Sequence, residues 1–91
     1  MDIRELVKNE KELEKDIEKI SQQKRDALNK NYNTCIFTST KNGSQPIYYY
    51  IKYDSEIHKQ IINILDNHLN AQQEKLSNVQ SKLKKAGDII D

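Results

Sequence analysis

Apolar positions recur along this chain with changing periods, and the changes divide it into three. From Ile3 the steps alternate three and four residues through Leu6, Glu10, Leu13, Ile17, Ile20, Lys24 and Ala27. That spacing keeps one narrow seam turned toward a neighbouring helix. Asp2 followed by Glu5 has the spacing of a capping box, and no Pro or Gly interrupts 2–29, so a helix is expected over 2–29. Asn29, Asn31 and Asn33 mark its exit. Glu10 and Lys24 are polar members of the seam. Their stems can lie along it with the charge in water, or they can set the register between paired helices.

A second helical stretch is expected over 54–86, capped by Asp54 or Ser55 and closed by Gly87, with a short tail 87–91. Lys82, Lys84 and Lys85 suit the negative end of its dipole. Its seam runs through Ile62, Leu65, Leu69, Gln72, Leu76, Val79, Leu83 and Ala86. A further apolar row, Ile57, Ile61, Ile64 and Ala71, exists only in the first half. At 100° per residue, Ile57, Ile61, Ile62, Ile64 and Leu65 cover roughly 160° of the helix, too wide for one helical neighbour. Ile57, Ile61, Ile62, Ile64, Leu65, His68 and Leu69 are therefore the candidate oligomer interface, with His68 expected to be half-buried beside Ile64 and Leu69.

Between the helices lies 34–53, TCIFTSTKNGSQPIYYYIKY, the one segment rich in β-branched and aromatic residues. Strands are expected from Thr34 to Thr40 and from Ile47 to Tyr53, joined around Asn42-Gly43, because Asn and Gly both tolerate positive φ. A two-residue turn there would set Pro46 opposite Ser39, where its missing amide is needed. A wider loop or a bulge is expected instead. Ile36 falls on one side of the first strand, with Cys35 and Phe37 on the other. Ile47, Tyr49, Ile51 and Tyr53 share one side of the second, and Tyr48 and Tyr50 take the opposite one. Both faces want cover: one can lie on the chain's own helices, while the other and the strand edges need something else.

The fold class so expected is mainly α: two long antiparallel coiled-coil helices joined by a β-hairpin, in one domain spanning 1–91 and oligomeric, as a dimer or tetramer. Composition agrees. Of 91 residues 35% are hydrophobic and 32% charged, which suits an elongated helical protein better than a compact globule. A formal net charge of +1 supplies no electrostatic reason to expect nucleic acid or an acidic membrane as partner. The start, MDIRELVKNEKELEK, is charged from its second residue, so no signal peptide is expected, and no apolar run is long enough to span a membrane. With Cys35 as the lone cysteine, a cytoplasmic setting is expected, host cytoplasm if the chain is phage-encoded. Lys, Asn, Ile and Tyr together exceed a third of the chain, as codons of an AT-rich genome would give.

No pattern of catalytic, metal-binding or phosphate-cradling residues appears, so neither enzyme activity nor a cofactor is expected. His58 and His68 are too far apart on one helix to share a metal within a subunit. The tyrosines admit two readings. They pack across the hairpin and an oligomer contact, or they form a binding surface, since Tyr is enriched at binding hot spots. Phe37, Tyr48, Tyr50 and Lys52 are the candidate binding residues.

With the strand pair Cys35–Thr38 and Ile47–Ile51 between helices, the layout resembles the β-type subunits of prefoldin. That resemblance implies hairpins joined in an oligomeric β platform and helical pairs that hold unfolded clients. The distal helix here is polar, with Asn78, Gln80 and Ser81. The leading functional expectation is a non-enzymatic oligomeric interaction protein that binds a protein partner, as a small phage or mobile-element accessory or inhibitor protein would bind a host factor. The alternatives are an oligomeric sponge for a nucleotide-like signal, with tyrosines stacking the base and Lys52, Lys41 or Arg25 meeting phosphate, and a prefoldin-like holdase.

Overall fold

A computed structural model describes residues 2–37, 43 and 45–90, the last three of these as backbone only. Helix α1 (Ile3–Leu28) leads to strand β1 (Thr34–Phe37), strand β2 (Tyr48–Ile51) and helix α2 (Glu56–Ile90). The helices pack on each other along their length and, among the described residues, the two strands pair only with each other, giving a body of 55 × 34 × 18 Å.

Helix α1 starts where the sequence asks it to. Asp2 is the N-cap, and its carboxylate accepts from the Arg4 amide at 3.3 Å. Asn29 ends the helix in extended backbone and accepts from the Asn31 amide through its side-chain oxygen at 3.0 Å. That Asx turn redirects the chain toward β1. Every seam position after Ile3 is buried or half-buried, and so is every seam position of α2. Two polar links tie the seams together. Lys24 Nζ reaches Asp66 Oδ1 at 2.5 Å, and Gln72 Nε2 donates to Asp16 Oδ2 at 3.4 Å. Lys24 is thus more than a stem lying along the seam: its charge meets an opposite one on the facing helix and favours a single register.

Helix α2 begins as expected and departs from expectation at its far end. Ser55 is its cap, its Oγ accepting from the His58 amide at 3.2 Å. Asp54 instead stands in the left-handed region at φ 61, where the chain turns out of β2. At the other end the helix runs through Gly87 to Ile90. A glycine can end a helix in the left-handed conformation, but it also fits the right-handed one at a cost of about 1 kcal/mol. Continued i→i−4 bonding offsets that cost here. Lys82, Lys84 and Lys85 consequently lie short of the last turn, which carries no basic residue.

The hairpin pairs Thr34 with Ile51, Cys35 with Tyr50, Ile36 with Tyr49 and Phe37 with Tyr48. This register is symmetric about Asn42-Gly43, and Gly43 has φ 77. Strand β2 begins at Tyr48, so Pro46 and Ile47 precede the ladder and the missing amide costs no pairing within it. The expected extension of the first strand over Thr38–Thr40, and Lys41, Asn42 and Ser44 of the connection, lie outside the described residues. The second strand also stops before Tyr53, which belongs to the turn into α2.

The core is thin. Among the described residues the buried apolar side chains are Leu6, Ile20, Ala27 and Ile51. The expectation that one hairpin face lies on the helices is corrected. Ile51 is buried and Thr34 half-buried at the base, while Ile36 and Tyr49 farther out on that face stay exposed, as does the other face. The strands leave the helix ends instead of lying along them. Among the described residues no helix is long and apolar enough to cross a membrane.

Candidate functional site

The chain is anchored at the junction of α1, β2 and α2 by His58. Its ring is buried, with Nε2 2.8 Å from the Ala27 carbonyl oxygen and Nδ1 3.2 Å from the Asp54 amide. A carbonyl can only accept and an amide N–H can only donate, so the geometry selects the neutral tautomer with hydrogen on Nε2. Ala27 lies in the last turn of α1, whose carbonyls lack helical partners. Tyr53 serves the next one, its hydroxyl donating to the Leu28 carbonyl at 3.2 Å, and its ring centroid lies 4.9 Å from that of His58. Two side chains from beyond the hairpin therefore cap the C-terminus of α1 and fix where the hairpin leaves the bundle.

Neither role was evident from spacing read by type. Ser55-x-x-His58 has the offset of a capping box, but the fourth residue is His where Glu or Gln is usual. Reading the ring as a hydrogen-bond acceptor would have suggested a bond to the turn's backbone, which is made to the Asp54 amide, but no spacing points to the Ala27 carbonyl.

Beyond this anchor the hairpin presents Phe37, Tyr48 and Tyr50 at 63%, 53% and 68% exposure. Phe37 pairs with Tyr48 across the strands, with ring centroids 6.2 Å apart and planes tilted by 53°. Tyr50 lies opposite Cys35, also exposed, and these four residues share a face because directly opposed residues of an antiparallel pair do. Lys52, exposed, follows β2 directly. The structure thus gathers the predicted binding residues at one end of the molecule. The reverse face carries exposed Ile36 and Tyr49, and Ile47 precedes it. Neither described strand holds a charged residue.

The predicted oligomer residues divide. Ile62, Leu65 and Leu69 are half-buried in the seam position, and Ile61 is half-buried beside them. Ile57 and Ile64 are exposed. His68 is exposed in the single chain too: Leu69 turns inward to the seam, whereas His68 stands roughly 100° round the helix from it. Of the residues suggested for phosphate contact, Arg25 donates from Nη2 to Gln22 Oε1 at 2.6 Å, and Lys41 lies outside the described residues.

No protein-family model matches this chain, and no curated protein or solved structure matches it either.

Proposed function

We propose that this chain is a non-enzymatic interaction protein that acts as an oligomer, its helices forming an antiparallel coiled-coil stalk and its hairpin the surface that meets a protein partner. The observation that carries this reading is the outward placement of Phe37, Tyr48 and Tyr50 on one uncharged face. Large aromatic rings bring much contact area for few rotatable bonds, which makes them effective anchors at protein interfaces. A two-stranded ribbon left bare on both faces is marginal in water, so a bound partner would also complete the fold.

The thin core supports the oligomeric half of the proposal, because half-buried seams and exposed isoleucines remain to be covered. A nucleotide-like ligand fits less well: the one described cation beside the rings is Lys52, and Arg25 already engages Gln22. The test is affinity capture from the native host with wild type and with a Tyr48→Ala/Tyr50→Ala variant. A protein retained by wild type and lost by the variant, with helicity unchanged, supports the reading. A tightly bound nucleotide on the purified wild-type protein would replace it with the sponge, and equal capture by both proteins would remove the hairpin as the site.

A further inference from the structure

One row on α2 borders the α1-facing seam without belonging to it. Ile57, Ile61, Ile64, His68 and Ala71 follow each other by four, three, four and three residues, the spacing of a second coiled-coil seam. The row lies roughly 100° round the helix from the side that holds Leu65, Leu69 and Gln72 against α1. Ile57 is 43% exposed, Ile64 65%, and His68 and Ala71 are exposed beside them.

The charge pattern narrows the occupant. From Gln60 to Gln73 the one charged residue is Asp66, and it is paired with Lys24 of α1. In a chain that is 32% charged, this stretch of α2 leaves no unpaired ionised side chain between Glu56 and Lys59 on one side and Glu74 and Lys75 on the other. The exposed polar residues beyond the row, away from α1, are Gln60, Asn63, Asn67 and Asn70. A side-chain amide both donates and accepts, so it can hydrogen-bond a copy of itself, which an ammonium or a carboxylate cannot do. A twofold contact requires such a self-complementary patch. Along 60–73 an oppositely charged partner would find nothing to pair with, whereas an identical helix brings the same isoleucines and amides.

We infer that a second copy of this chain docks on the Ile57–Ile61–Ile64–His68–Ala71 row, α2 against α2 about a twofold axis, leaving the Phe37–Tyr48–Tyr50 face free. The inference rests on the oligomeric half of the proposed function and assigns the seam.

Because Ile64 is exposed in the single chain, Ile64→Glu can be made without disturbing the fold of the protomer. Light scattering and circular dichroism are measured on wild type, Ile64→Glu, Ile57→Glu, Ser77→Glu and Tyr48→Ala/Tyr50→Ala. Wild type should be dimeric. The two isoleucine variants should keep helicity while dimer dissociation rises roughly a hundredfold or more, since each copy would bury an unpaired carboxylate. Ser77, exposed on the far side of α2, is the control, and Ser77→Glu and the tyrosine variant should both remain dimers. A dimer that survives Ile64→Glu and Ile57→Glu but is dispersed by the tyrosine changes would overturn this seam and leave the chain oligomeric through its hairpin. A monomeric wild type would overturn the seam and the oligomeric reading together.

Discussion

Replacing His58 with Ala tests the junction on which the hairpin's position depends. Two hydrogen bonds disappear, at 2.8 Å to the Ala27 carbonyl and 3.2 Å from the Asp54 amide, along with the ring's contact with Tyr53. An unpartnered buried backbone group costs about 1–3 kcal/mol. Asp54 borders an open cleft lined also by Leu28, Tyr53, His58, Lys59, Ile62 and Asn63, so water can reach its amide after the deletion and that cost falls toward the low end. With the lost ring packing the total should be about 2–4 kcal/mol. Against a stability of about 5–15 kcal/mol this is a large share. Urea unfolding followed by circular dichroism would register it as a midpoint lowered by about 1–2 M. Protomer concentration must be fixed, since self-association raises apparent stability. His58→Gln, which restores one donor and one acceptor, should lose less. If His58→Ala unfolds within about 0.5 kcal/mol of wild type, a typical surface effect, the buried ring does not hold the junction.

Tyr53→Phe removes only the hydroxyl bond to Leu28 and should cost below about 1 kcal/mol in the same assay, because the tyrosine is partly exposed and water can replace it. Gly87→Ala should raise stability by about 0.5–1 kcal/mol, because Gly87 is helical and an added Cβ meets nothing within 4 Å. A loss there would restore glycine as the terminator of α2. Gly43→Ala, at φ 77, should destabilise by about 1 kcal/mol. Asp66→Asn should cost no more than about 1 kcal/mol, since its pair with Lys24 is more than a third exposed on the Asp side. Ile61→Asp should disperse the proposed assembly more than Val79→Asp, because Ile61 belongs to the proposed α2–α2 row and borders the α1-facing seam, whereas Val79 lies on the α1-facing seam alone; equal loss of mass and helicity would remove that distinction.

The helices were legible because both seams keep the three-four spacing over most of their length and the spacing matches what is buried. Even the polar intruders made sense once α2 was in place, Lys24 against Asp66 and Gln72 against Asp16. The hairpin was legible as an element, from β-branched and aromatic residues around Asn42-Gly43. Its relation to the helices was not. Alternation shows which side chains share a face and says nothing of what that face meets, and here the answer turned on His58 and Tyr53 capping α1 from beyond the strands. Gly87 misled for a local reason: left-handed termination and continued helix both suit glycine, and the sequence alone ranks them poorly.

The central claim is that one chain leaves too much apolar surface bare to be the working unit. Sedimentation equilibrium of the wild-type protein at low micromolar concentration tests it most directly. The chain has a mass of 10.7 kDa, and the account predicts an even multiple of it, the dimer first. A single species at 10.7 kDa, stably folded with Ile57, Ile64 and the hairpin aromatics all in water, would contradict it.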